Sequence, residues 1–127
     1  MLESLMGRPQ PLPDAIVERY PELRDARFRR GGLLPRIAGW CLGQSTVAAI
    51  TLWNTVFLSR DVRLDAELLL HELRHVHQFG ASPSFPARYV WESLRRGYHA
   101  NRFEADARAW AAARLARERS ESRGGDV

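Results

Sequence analysis

The residues His71, Glu72 and His75 form an HExxH motif, and this spacing suits the binding of a metal ion. Residues four apart lie on one face of a helix, so both imidazoles can reach one zinc ion about 2.0–2.1 Å away. Glu72 points about 100° away from His71 and cannot easily share the ion. It can reach a water bound to that ion and take its proton. The motif therefore predicts two ligands and a general base on one helical turn.

A catalytic zinc site usually has three protein ligands and a water, so the motif leaves one ligand to be found. Glu104 is the first candidate, because enough chain separates it from His75 to bring a third helix back across the motif helix. The neighbouring residues Asn101, Phe103 and Ala107 are compatible with a packed helix whose carboxylate points inward. His99 is the alternative third ligand, since imidazole binds zinc as well as carboxylate does.

The residues around the motif favour a metal over a chance match. HExxH also occurs by chance on charged amphipathic helices. Here residues 68–70 are all leucine, which predicts a buried helix. Burying two histidines and a glutamate is costly without a charge partner, and a cation supplies one. Arg74 lies inside the motif, so it must face solvent or a carboxylate, because a buried positive charge would oppose the ion.

Three further side chains near the motif could have a role at the site or outside it. Tyr98 could donate a hydrogen bond to the oxyanion of a tetrahedral intermediate, or it could be a packing residue. His77 lies about 200° round the helix from His75, which predicts a surface or core position rather than a ligand. Metal-bound histidines usually need an acceptor for the other ring N–H. Asp106 is a candidate for that acceptor, but the sequence does not identify the partner.

The composition is that of one domain. The chain has 127 residues, of which 45% are apolar and 27% charged, ordinary values for a globular protein. We expect a cytoplasmic protein without membrane contact, because there is no signal peptide and no apolar run of about 20 residues. The lone Cys41 allows no internal disulfide and reads as a core residue. The net charge of +4 comes with 19 arginines and no lysine, and their scatter disfavours a nucleic-acid partner.

The pattern along the chain predicts one α+β domain over residues 1–119, with a disordered tail at 120–127. An irregular arm, 1–13, precedes a helix at 15–20 that Asp14 could cap. Residues 46–59 read as a hairpin turning at Trp53-Asn54, or as one bulged strand. Further helices are expected at 33–42 (ending at Gly43), 64–78 (closed by Gly80), 87–96 (Tyr89, Val90 and Leu94 inward) and 102–119 (capped by Asn101).

Several of these segments resemble the small bacterial zincin-like domains on the gluzincin side of the HExxH metallopeptidases. The resemblance covers roughly residues 45–112 and is carried by residues 51–59, 69–79, 88–90 and 97–107. Its specific part is the later pattern Tyr-x-x-Asn-x-Phe-Glu-x-x-Ala. The aspartate that follows the glutamate ligand in larger gluzincins is missing at its usual spacing. The resemblance does not include the large C-terminal domain of those proteins.

The resemblance implies a minimal zincin-like fold and a site. A short, mostly antiparallel sheet would pack on an active-site helix and a glutamate-bearing helix. His71, His75 and Glu104 would bind one Zn²⁺, with Glu72 as general base. The strand before the active-site helix would form a rim where an extended peptide pairs.

Three hypotheses follow for the function. The first is a zinc-dependent endopeptidase that acts on a peptide or protein substrate. The second is a zinc-stabilised module that binds protein without hydrolysis. The third, less favoured, is an arginine-rich protease associated with nucleic acid.

Overall fold

The computed structural model describes residues 2–35 and 48–124, which form an α+β domain as predicted. These ranges contain five helices, a 3₁₀ turn and four strands. In chain order they are α1 (Leu2–Met6), β1 (Arg8–Pro9), α2 (Asp14–Arg19), the 3₁₀ turn (Pro21–Asp25), β2 (Arg27–Arg30), β3 (Ala49–Leu52), β4 (Thr55–Leu58), α3 (Ala66–Ala81), α4 (Phe85–Arg96) and α5 (Arg102–Gly124). No helix within them is both long enough and apolar enough to cross a membrane.

The sheet has the strand order β1-β2-β4-β3. The two outer pairings are antiparallel and the central β2–β4 pairing is parallel, so the expectation of a mostly antiparallel sheet is confirmed. β3 and β4 form the predicted hairpin around Trp53-Asn54, and the alternative of one bulged strand is wrong. Trp53 has a φ of 55°, which suits the tight two-residue loops that match the twist of a hairpin.

The motif helix α3 packs its leucines against the sheet. The Asp65 side chain caps it by accepting a hydrogen bond from the Glu67 N–H at 3.0 Å. Three of its residues are fully buried in the core, Leu69, Leu70 and Leu73. They are buried together with Val56 and Leu58 of β4. Each such side chain contributes about 1.5–3 kcal/mol on burial. The predicted end at Gly80 is wrong, because the helix continues through Gly80 to Ala81 and stops at the extended Ser82.

Helix α5 crosses α3 through small residues. Ala107 and Ala111 are fully buried, and their size lets the two helices approach closely. Asn101 caps α5 as predicted, accepting a hydrogen bond from the Phe103 N–H at 2.8 Å. Its amide also donates to the Tyr89 carbonyl at 3.2 Å, which ties the start of α5 to α4.

Helix α4 corrects the sequence prediction about its inner face. Tyr89 is half-buried, but Val90 is 56% exposed and Leu94 is 77% exposed. The helix instead buries Phe85 and Glu92. Phe85 packs against aromatic rings on α3 and α5, and this contact sets a rotation of the helix that its own apolar pattern does not predict.

Both termini hold more structure than predicted. The arm 1–13 contains α1 and β1, and β1 lies at the sheet edge, where Pro9 is tolerated. Asp14 is the first residue of α2 rather than its cap, and no side chain caps that helix. α5 continues to Gly124, and a hydrogen bond from Ser122 to Glu118 at 2.9 Å supports its last turns. The predicted helix at 33–42 lies mostly outside the described residues, as do Cys41, Gly43 and residues 125–127.

Candidate metal centre

Three side chains from two helices meet where α3 and α5 cross. His71, His75 and Glu104 each place one possible ligand atom within 4.8 Å of the others; we call them the ligand triad. The two Nε2 atoms lie 2.9 Å and 2.8 Å from the two carboxylate oxygens of Glu104. His75 and Glu104 are buried, while the His71 side chain is 15% exposed, so the triad borders solvent on the His71 side.

Local sequence explains why these side chains converge. His71 and His75 are one turn apart on α3, so their rings project from one face, with centroids 5.0 Å apart. The Asn101 cap fixes the start of α5 and places Glu104 in its first turn. A carboxylate there is favoured by the positive end of the helix dipole.

Glu72 is held beside the ligand triad by the sheet. It is buried, and its Oε2 accepts a hydrogen bond from the Thr51 hydroxyl at 2.7 Å. Its charge is one of the causes that raise the pKa of His75, so the carboxylate lies close to the triad. Thr51 was not predicted as a site residue, because only the packing of β3 on α3 brings it to the motif. The one local signal was a threonine on the strand next to the active-site helix.

Two tyrosines border Glu104. The Tyr89 hydroxyl donates to Glu104 Oε1 at 2.9 Å, a role that was not predicted from the sequence. Tyr98, the candidate donor to an oxyanion, is half-buried and lies beside the same carboxylate. Burial and the charge of Glu104 raise the pKa of both phenols well above the ordinary value. Both hydroxyls therefore stay protonated and remain hydrogen-bond donors.

The other two histidines lie outside the ligand triad. His77 packs edge-on against the Trp110 ring, with centroids 5.4 Å apart, in keeping with the predicted non-ligand position. His99 is exposed and its ring contacts Tyr98. Among the described residues, the group close enough to share an ion contains Glu104 and not His99.

Arg74, inside the motif, faces a carboxylate as the sequence required. Its Nε donates to Asp106 Oδ2 at 2.8 Å, and the pair is partly exposed at the surface. The charge therefore points away from the ligand triad.

No protein-family model, curated protein or solved structure matches this chain. The gluzincin resemblance stays a prediction from the motif residues, and the geometry of the ligand triad is the observation on which a function can be proposed.

The ligand triad fits a divalent metal ion. Two imidazole nitrogens and a carboxylate oxygen are the donor set that first-row transition metals accept. Ligand atoms around a tetrahedral ion with bonds of about 2.0–2.1 Å lie about 3.3 Å apart. One ligand atom from each of the three residues already lies within 4.8 Å of the others, so a small closing movement of the side chains would bring them to this spacing.

The charges of the ligand triad also favour a cation between its members. Burial alone would lower the pKa of His75, but its hydrogen bond to the Glu104 carboxylate and the charges of Glu72 and Glu104 raise the pKa to about 9. Burial alone would raise the pKa of Glu104, but hydrogen bonds from both histidines hold it well below its usual range. A positive charge on His75 thus balances the buried carboxylates, and a metal ion would take over that role.

These shifts predict how the metal-free protein responds to pH. The raised pKa of His75 contributes stability that is fully present below pH 6.5, its ordinary value, and lost as the pH rises through about 9. The lowered pKa of Glu104 contributes stability present above 4.5 and lost as the pH falls. We expect the melting temperature in chelator to be higher at about pH 5.5 than at about pH 9.5. Glu104→Gln should remove most of the alkaline decline, and an unchanged decline would contradict this origin.

Proposed function

We propose that this protein is a zinc-dependent endopeptidase of the HExxH gluzincin type, in which the ligand triad binds one Zn²⁺. The observation that supports the proposal is the convergence of His71, His75 and Glu104, with the motif glutamate held beside them. Two histidines and one carboxylate leave a fourth position of a tetrahedral ion for water, as catalytic zinc sites require. We propose zinc among the first-row metals because two imidazoles, one carboxylate and the HExxH spacing suit a catalytic zinc site.

In this proposal Glu72 acts as the general base. A bound zinc ion would polarise the scissile carbonyl and lower the pKa of a coordinated water. Glu72 lies on the same turn of α3 as His71 and would accept the proton of that water. The Thr51 hydroxyl engages Oε2 of Glu72, which leaves Oε1 for the proton transfer. Tyr98 keeps its hydroxyl proton and would donate a hydrogen bond to the developing oxyanion.

The position of β3 supports an extended peptide as substrate. β3 is the last strand of the sheet in the described part of the chain, and it packs on α3. The Thr51–Glu72 hydrogen bond joins this strand to the motif helix. A peptide lying along β3 would add a strand to the sheet, with main-chain hydrogen bonds that accept many sequences. Its scissile bond would then pass the ligand triad.

The test of this function is metal-dependent cleavage of an unfolded protein. Protein purified without added metal should contain about one zinc per chain by elemental analysis and should digest casein. A chelator should stop the digestion, and added zinc should restore it. One zinc per chain without digestion would reject the peptidase and favour a zinc-stabilised binding module. Absence of zinc even after zinc is added would reject both.

A further inference from the structure

Gln78 links the ligand triad to the surface of the protein where α3 and α5 pack together. Its Oε1 lies 2.8 Å from Nδ1 of His75, the ring nitrogen that does not face Glu104. Its amide nitrogen donates to the Phe103 carbonyl at 3.1 Å and to Asp106 Oδ2 at 2.9 Å. Gln78 therefore touches His75 with one end and α5 with the other.

The two partners on α5 fix which way the carboxamide points. A carbonyl and a carboxylate can only accept, so the Gln78 nitrogen must face them and its oxygen must face His75. The carboxamide oxygen of Gln78 can only accept a hydrogen bond, so Nδ1 of His75 must carry a hydrogen. This assignment leaves Nε2 of His75 for a metal ion, and it also sets the plane of the ring.

Arg74 and Asp106 hold this arrangement from outside. Arg74 Nε donates to Asp106 Oδ2 at 2.8 Å, and its Nη2 lies 3.4 Å from Oδ1. Asp106 thereby keeps an acceptor oxygen beside the Gln78 amide. Arg74, the unusual charge within the HExxH motif, is the outer end of the chain of hydrogen bonds that reaches His75.

We infer that Gln78 is a positioning residue for the metal centre, held in orientation by the Arg74–Asp106 ion pair. It presents Nε2 of His75 to the ion and makes that ligand more basic through the hydrogen bond at Nδ1. This inference rests on the metal-binding part of the proposed function and does not require hydrolysis. The alternative is a purely structural role, in which Gln78 only joins α3 to α5 through its hydrogen bond to the Phe103 carbonyl.

The experiment measures zinc affinity of the full chain by competition with a chromophoric chelator. Gln78→Leu keeps the approximate size but removes the acceptor, and we expect it to weaken zinc binding about 10- to 100-fold. The visible spectrum of the Co²⁺-substituted protein should change as well, because the His75 ligand loses its fixed orientation. Far-UV circular dichroism and the melting temperature of the metal-free protein verify that the variant is folded at the temperature of measurement.

Exchanging the amide of Gln78 and the carboxylate of Asp106 distinguishes a positioning role from a role that only joins α3 to α5. Gln78→Glu alone sets two carboxylates against each other and should weaken zinc binding. Adding Asp106→Asn restores a donor opposite the new carboxylate, which still accepts from His75, and the double variant should recover most of the affinity. Gln10→Leu is the control, since Gln10 is also held by an arginine but lies between β1 and α2, outside the ligand triad.

Two results would overturn the inference. Equal zinc affinity of Gln78→Leu and the wild type would mean that Gln78 only joins α3 to α5. This result would not affect the proposed function. An equal loss in Gln10→Leu would attribute the effect to general destabilisation. A wild-type chain that binds no zinc would overturn the proposed function itself, and this outcome is seen before any variant is compared.

Discussion

Glu72→Gln is expected to abolish peptide hydrolysis while zinc stays bound. The amide cannot accept the proton of the attacking water, so kcat should fall about 10²- to 10⁴-fold. The ligand triad is left intact, because Glu72 is not one of its members. The amide side chain is similar in size and can still accept the hydrogen bond from Thr51, so the fold should be preserved.

The measurement pairs zinc content with cleavage of casein or of a quenched fluorescent peptide. Glu67→Gln is the matched control, because it makes the same substitution on an exposed residue of the same helix. The control should cleave like the wild type. If Glu72→Gln retained cleavage at the wild-type rate with zinc bound, Glu72 would not be the general base.

His75→Ala is expected to lose both the metal and the stability that the metal confers. A ligand that binds only the folded state adds about 4 kcal/mol at 1,000 times its Kd. For a domain of this size that corresponds to a rise of about 10–20 °C in melting temperature. The wild type should show this rise when zinc is added, and His75→Ala should show none, because the remaining two ligands hold zinc far more weakly.

Differential scanning fluorimetry with and without zinc measures this difference directly. His77→Ala is the matched control, since His77 lies on the same helix but packs on Trp110 instead of joining the ligand triad. The control should keep the zinc-dependent rise even if its starting temperature is lower. A zinc-dependent rise of wild-type size in His75→Ala would place the metal elsewhere.

Most of the features that were predicted correctly are ones that short-range sequence determines. The HExxH spacing puts two imidazoles on one face of α3 because four residues make about one turn. The hairpin at Trp53-Asn54 and the Asn101 cap depend on residues that are neighbours in the chain. Glu104 was predicted as the third ligand partly through the resemblance, and the structure brings it to the motif histidines.

The features that depend on packing between distant segments were missed. The apolar pattern of α4 places Val90 and Leu94 on its inward face. The packing of Phe85 and the hydrogen bond from Asn101 set a different rotation of the helix, in which Val90 and Leu94 are exposed. Thr51 reaches the site only because β3 packs on α3. Gln78 lies one turn after His75 on the same helix, but its orientation depends on hydrogen bonds to α5 that form only when the two helices pack together. Threonine is common in strands and glutamine is common in helices, so residue type alone did not single them out.

The most direct test of a shared metal site is crystallographic. Crystals grown with zinc, with data collected on both sides of the zinc absorption edge, would locate the ion by its anomalous signal. We expect one strong peak about 2.0–2.1 Å from Nε2 of His71 and of His75 and from a carboxylate oxygen of Glu104. Side chains at 71, 75 and 104 that point apart, with no anomalous peak between them, would contradict the account.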